Sequence, residues 1–322
     1  MMNTVNHFDA ARAVLRDYLE GYPARLTVSA QQPLSDALSN EQIGADSRLL
    51  TFEYNGVLYT IPMSVVLSYN VVQGSIGGQE WLMTFCNACN TGMVFDPLVG
   101  GQIRHFQRRG SYDGLLLIWD EESGSFWQHI TGQCLYGPSQ GEQLRQITVT
   151  RQMTAAEVLA QAAPAQMLIS TLTPEQEQLS RMMEKMRDKP ERAEGGILET
   201  IAVEDTRRPR FELGLGVWTE NESHFFPLVL LHAQDSAYLA QVDGRTLLIY
   251  HQPEAIAPVA AYVDARRAWW EREVLRLDGG RYIQDDLLYT VDGRTQSLER
   301  PMQLLMRWYG FALTFPGCRV AM

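Results

Sequence analysis

Two stretches of this chain pass through the same order of apolar segments and turns, and that order constrains the fold more than any single motif. Leu49-Leu50-Thr51-Phe52-Glu53-Tyr54 runs into Asn55-Gly56, a strong hairpin signal, and the chain returns as Val57-Leu58-Tyr59-Thr60-Ile61-Pro62. In the second half, Phe211-Glu212-Leu213-Gly214-Leu215-Gly216-Val217 and Phe225-Phe226-Pro227 trace the same course. Pro62 and Pro227 stand 165 residues apart, and Gly78 and Gly244 stand 166 apart. Val94-Phe95-Asp96 and Tyr262-Val263-Asp264 stand 168 apart. A near-constant offset of this kind predicts an internal duplication. Thr154, with Glu157 three residues on, marks a capping box for a helix that Pro164 stops. Residues 302–313 take the corresponding place in the second half. The expected fold is therefore α+β and β-rich: two tandem diverged repeats of antiparallel strands, each closed by a helix.

Helical spacing adds two further elements. Phe8, Ala11, Val14, Leu15, Tyr18 and Leu19 predict an amphipathic N-terminal helix over residues 7–22, and the polar stretch 24–45 reads as loop. Thr173-Pro174-Glu175 is a helix start, so a helical insert lies between the repeats. The predicted boundaries are 1–45 for the N-terminal helix and loop, 46–170 for the first unit, 171–204 for the insert and 205–322 for the second unit.

Charge narrows the partners. The balance is 27 Lys+Arg against 38 Asp+Glu, a net −11, which argues against a nucleic-acid or anionic-membrane surface. No run approaches the roughly 20 apolar residues needed to span a bilayer. The first residues, Met1-Met2-Asn3-Thr4-Val5-Asn6-His7, lack the basic and apolar regions of a secretory signal, so a cytoplasmic location is expected. The four cysteines do not make a disulfide framework. Cys134 and Cys318 are isolated and read as buried apolar residues.

Cys86-Asn87-Ala88-Cys89 is the feature that carries chemistry. It ends the apolar run 81–85 and precedes Thr91-Gly92-Met93-Val94-Phe95-Asp96, so a strand enters a two-sulfur turn and a strand leaves it. That context suits a metal knuckle or a redox pair. Dithiol exchange of the thioredoxin kind wants a helix after the second cysteine, and here a strand follows. Two thiolates do not close a zinc site, so further ligands are needed. His129 lies among apolar neighbours in Phe126-Trp127-Gln128-His129-Ile130. His251 falls in the second repeat close to where Cys86 falls in the first. The predicted metal ligands are Cys86, Cys89, His129 and His251, with Asp96, Trp127 and Gln128 around them. Zinc, iron or copper would suit this N/S set. Asn90 rules out the Cys-x-x-Cys-His of c-type haem. Gly137-Pro138-Ser139-Gln140-Gly141 lacks the Lys-Ser/Thr of a phosphate loop, so neither a nucleotide nor a flavin is expected.

The order of motifs resembles a bacterial and archaeal family known as domain of unknown function 3179. Its members carry a Tyr-Pro-Leu strand, a strand ending Cys-Pro-x-Cys-Gly with a Val-Phe-Asp tail, then Ser-Leu-Trp, Thr-Gly and Gly-Pro-x-x-Gly. The matches here are Ile61-Pro62-Met63, Cys86-Asn87-Ala88-Cys89-Asn90, Val94-Phe95-Asp96, Ser125-Phe126-Trp127, Thr131-Gly132 and Gly137-Pro138-Ser139-Gln140-Gly141. The closing Trp308-Tyr309-Gly310-Phe311-Ala312 also fits. Asn87 and Asn90 replace the family's Pro and Gly, and Ser68-Tyr69-Asn70 stands where relatives often have Trp-His-Glu. The resemblance implies a shared fold and site but no activity. The function expected from the residues is a metal- or thiol-dependent enzyme acting on a small molecule. The alternative is a non-catalytic binding or scaffold protein with a structural metal knuckle.

Overall fold

The computed structural model describes residues 8–15, 25–28, 30–169, 172–186 and 198–322. The fold is β-rich with few helices. Its centre is the hairpin of strands Gln79–Cys86 and Thr91–Asp96. In their sheet the order is Arg145–Val149, Thr91–Asp96, Gln79–Cys86, Val71–Ile76, Leu26–Thr27. Side-chain alternation sends Leu82, Met93 and Phe95 into one core cluster, with Phe106, Trp127, Phe225 and Trp308. It sends Trp81, Met83, Phe85 and Val94 into another, with Phe52 and Tyr59. Burial on both faces explains why both strands read as nearly continuous apolar runs.

The register pairs Cys86 with Thr91 and Phe85 with Gly92, which leaves residues 87–90 as the turn. Asn90 takes a left-handed conformation, φ 60°, which asparagine tolerates better than most residues. Gly92 is required for a different reason. A Cβ there would lie 2.0 Å from the Thr84 carbonyl oxygen. Gly92→Ala must therefore part the two strands that carry the cysteine turn. It is expected to cost about 3 kcal/mol or more, read as a lower urea midpoint. An unchanged midpoint would show that the strands relax freely at this point.

Two more five-stranded sheets and a two-stranded ribbon, Leu98–Val99 with Gln102–Ile103, lie in the first half. One of these sheets has the order Arg151–Thr154, Arg48–Tyr54, Val57–Pro62, Ala165–Ile169, Ala30–Pro33. The other has the order Ala13–Leu15, Phe106–Tyr112, Leu115–Asp120, Phe126–Gln128, Cys134–Tyr136. In the second half, Met302–Arg307, Leu213–Trp218, Ser223–Pro227 and Arg319–Val320 form a four-stranded sheet. A three-stranded sheet and a five-stranded meander, Ala268–Glu271 to Thr295–Ser297, complete it. The helix Trp308–Thr314 follows Arg307 directly, and its Trp308 and Phe311 enter the same core as Leu82 and Trp127.

Three expectations are corrected or bounded. The N-terminal helix is absent over residues 8–15, where a single turn, Ala10–Arg12, leads into the strand Ala13–Leu15. That strand pairs with Phe106–Tyr112, and Gly110, at φ 130°, has no Cβ to obstruct the Val14 carbonyl. Long-range pairing outweighs helical periodicity here. Residues 16–22 of that expectation lie outside the described residues. The stretch read as loop holds strands Leu26–Thr27 and Ala30–Pro33 and the helix Leu34–Ser39. Leu34 and Ala37 bury against Leu49, Leu58 and Met153, which is what orders it. The insert contains the helix Pro174–Met186, packed on the helix Met63–Tyr69. Residues 171 and 187–197 of the insert lie outside the described residues. No helix among the described residues is long and apolar enough to cross a membrane.

Candidate functional site

Cys86 is the last residue of its strand and Cys89 sits in the turn, with their Cα atoms 5.5 Å apart. Their sulfurs are at disulfide distance. The Cys89 backbone N–H donates to Cys86 Sγ at 3.3 Å. From the turn after a strand of a different sheet, His129 brings its Nε2 to 3.5 Å from Cys89 Sγ. The ligand atoms of Cys86, Cys89 and His129 all lie within 4.8 Å of one another. Among the described residues no other set of three or more His, Cys, Asp or Glu side chains meets that condition.

Local structure explains how His129 arrives there. The strand Phe126–Gln128 ends one residue earlier, and the Gln128 carboxamide oxygen accepts N–H bonds from Ile130 and Thr131, both at 2.6 Å. Thr84 Oγ1 then donates to the His129 carbonyl at 3.0 Å, tying this corner to the cysteine-bearing strand. Cys89 and His129 are fully buried and Cys86 is 4% exposed. Burial pushes the His129 pKa down to about 3, so the imidazole is neutral at ordinary pH. A neutral imidazole is the form that ligates metal. Among the described residues its Nδ1 has no hydrogen-bond partner, so the supporting bond common to ligand histidines is not seen there.

The donor set passes one geometric test and sets a condition. Zn–S of about 2.3 Å and Zn–N of about 2.0–2.1 Å, at a tetrahedral angle, place sulfur and nitrogen roughly 3.5 Å apart. Cys89 Sγ and His129 Nε2 have that spacing. For both sulfurs to chelate, the pair must be reduced and parted. Three protein donors would then leave one tetrahedral position open.

The other candidates stand elsewhere. His251 Nδ1 lies 3.1 Å from His232 Nε2, and its own Nε2 lies 2.8 Å from the Ala255 carbonyl oxygen. It therefore belongs to a histidine pair of the second half. Asp96 accepts from the Leu98 N–H at 3.0 Å and pairs with Arg145 at 2.6 Å. It closes the strand that starts at Thr91, about 16 Å from the turn at 3.3 Å per residue. Trp127 donates its indole N–H to Asp120 Oδ2 at 2.8 Å. Gln128 shapes the His129 corner through the backbone, as described above.

Sequence reasoning missed the residues that hold the turn. Asn70 Nδ2 donates to the Phe85 carbonyl and to Asn87 Oδ1, both at 2.9 Å. Asn87 Nδ2 donates to the Leu67 carbonyl at 2.7 Å. Arg307 Nη1 donates to the carbonyls of Asn87 and Ala88 at 2.9 and 2.7 Å, and the Arg307 N–H donates to the Cys89 carbonyl at 2.9 Å. Asn70 and Asn87 were visible as departures from the family pattern. Arg307 carried no signal beyond its place before Trp308-Tyr309-Gly310. An apolar sheath of Leu115, Tyr309, Leu198, Ile201 and Phe211 covers the sulfurs. A cleft lined by Thr91, Arg151, Gln152 and Gln303 reaches the strand position opposite Cys86.

The profile of a family described as "Protein of unknown function (DUF3179)" matches residues 29–312, nearly the whole chain. No curated protein and no solved structure matches.

Proposed function

The chain belongs to the DUF3179 family of unknown function, and on that premise we propose that Cys86, Cys89 and His129, with the pair reduced, hold a transition metal that serves a reaction on a small molecule. The observation that carries this is the 3.5 Å approach of His129 Nε2 to Cys89 Sγ, made inside the core between two turns that follow strands of different sheets. Zinc, iron and copper all suit an N/S set of this kind. Such a metal would act as a Lewis acid or lower the pKa of a bound water. The chain's own part is to present two sulfurs on a fixed turn and keep His129 neutral.

Complete burial of Cys89 and His129 favours a second reading, a structural metal in a non-catalytic protein. One experiment addresses both. The chain, purified under reducing conditions, is expected to carry about one metal per molecule by plasma mass spectrometry, and Cys89→Ser and His129→Ala to carry almost none. Reduced wild-type protein that takes up no zinc, iron or copper would end the metal reading. If metal removal leaves the melting temperature unchanged, the open functional site is favoured; if the metal-free chain unfolds, the structural role is.

We further infer that residues 46–170 and 205–322 are diverged copies of one unit. Two sheets support this. Arg151–Thr154, Arg48–Tyr54, Val57–Pro62 and Ala165–Ile169 run in one order, and Met302–Arg307, Leu213–Trp218, Ser223–Pro227 and Arg319–Val320 run in the same order. In each set the fourth of these strands pairs in parallel with the third.

A further inference from the structure

We infer that Arg307, from the second half of the chain, is the positioning residue that sets the geometry of the cysteine turn; this rests on the metal reading above. Three consecutive carbonyls, those of Asn87, Ala88 and Cys89, are held by this one residue. Two of those bonds come from a guanidinium nitrogen, and a charged donor makes the stronger kind of hydrogen bond. Arg307 is itself firmly placed. It ends the strand Met302–Arg307, is paired with Leu213, and is only 5% exposed.

The peptide plane transmits this hold to the sulfur. In a trans peptide the C=O and the following N–H point in opposite directions. The Ala88 carbonyl and the Cys89 N–H belong to one such unit. Arg307 draws the carbonyl to one side at 2.7 Å, which aims the N–H at Cys86 Sγ on the other, at 3.3 Å. The bond that supports the first sulfur is thus oriented by a residue 220 positions away from Asn87. Helix Trp308–Thr314 presses on the second sulfur's residue. A Cβ built on Gly310 would lie 2.7 Å from Cys89 Cβ, so only glycine lets the helix sit this close. Arg307 and Gly310 together hold the turn from the carbonyl side and the side-chain side.

Without Arg307, the 88–89 peptide can rotate, the N–H···S bond is lost, and the two sulfurs are no longer preorganised. Loss of an outer partner of this kind typically weakens metal binding by roughly 10- to 100-fold. The test uses the reduced full-length chain titrated with Co2+ and followed by its sulfur-to-cobalt charge-transfer absorption. Arg307→Met is expected to weaken Co2+ binding by roughly 10- to 100-fold and to shift the absorption band, because Cys86 loses its N–H donor. Arg307→Lys, which keeps a cationic donor, is expected to recover part of both. A purely structural role would lower the melting temperature and leave the band in place. Arg307→Met with wild-type affinity and spectrum overturns the inference, whatever its stability. If that variant does not fold, Gly310→Ala must shift the band by displacing the helix from Cys89, and an unshifted band in folded Gly310→Ala is equally fatal. Wild-type protein that binds no Co2+ overturns the metal reading and this inference with it, whereas a binding wild type with an unaltered Arg307→Met overturns this inference alone.

Discussion

Trp127→Ala is expected to destabilise the protein by about 3–5 kcal/mol, the range for removing a fully buried large aromatic side chain. Trp127 is completely buried, and Phe106 meets it edge-on at 5.8 Å. Its indole N–H donates to Asp120 Oδ2, and Asp120 is also completely buried. Truncation therefore opens a cavity and removes a donor from a carboxylate that water does not reach. The Ser123 N–H and Oγ remain on Asp120, both at 2.7 Å, so the carboxylate is not left bare. Trp127→Phe separates the two effects. It keeps most of the volume and loses the N–H, with an expected cost of about 1–3 kcal/mol. Urea unfolding of both variants measures the split. A loss below about 1 kcal/mol for Trp127→Ala would mean that this core is not packed as described.

The metal-free protein is expected to lose stability steeply in mild acid because of His129. Burial lowers its folded-state pKa from 6.5 to about 3. Between those values the unfolded chain binds a proton that the folded chain does not. Stability from this group is therefore fully present above pH 6.5 and is lost as pH falls through the window to about 3. At about 1.4 kcal/mol per unit, the loss between pH 7 and pH 4.5 is about 2–3 kcal/mol. Urea unfolding with chelator at several pH values, for wild type and His129→Leu, isolates the effect from the carboxylates common to both. The wild-type curve should fall faster by that amount. Parallel curves would show that His129 takes up its proton while folded, and hence that water reaches it.

Much of the candidate site was legible in local sequence. The apolar run before Cys86, the pair itself and the strand after it announced a two-sulfur turn between strands. His129 stood out because it lies between apolar neighbours in a strand-like segment, Phe126 to Ile130. Asp96 was misjudged because periodicity gives a residue's face and not its cross-strand partner. The structure sets Arg145 directly opposite it, and the two pair. His251 was placed near the cysteines by its offset from Cys86. The strand Arg245–Tyr250 does not enter a tight turn, however, and its next strand partner begins only at Val259. His251 pairs with His232 in that longer connection. The N-terminal stretch looked helical because its neighbours in sequence are spaced that way. Its actual partner, the strand Phe106–Tyr112, is about a hundred residues distant and could not be seen in the spacing.

The sequence by itself determined the β-rich character, the turn that carries both sulfurs and the family, because these depend on residues adjacent in the chain. Only the tertiary structure decided that His129 meets Cys89 and that Arg307 grips the turn. Those contacts join segments 40 and about 220 residues apart. They exist because burying the apolar faces of separate sheets leaves the polar atoms between them few partners other than one another.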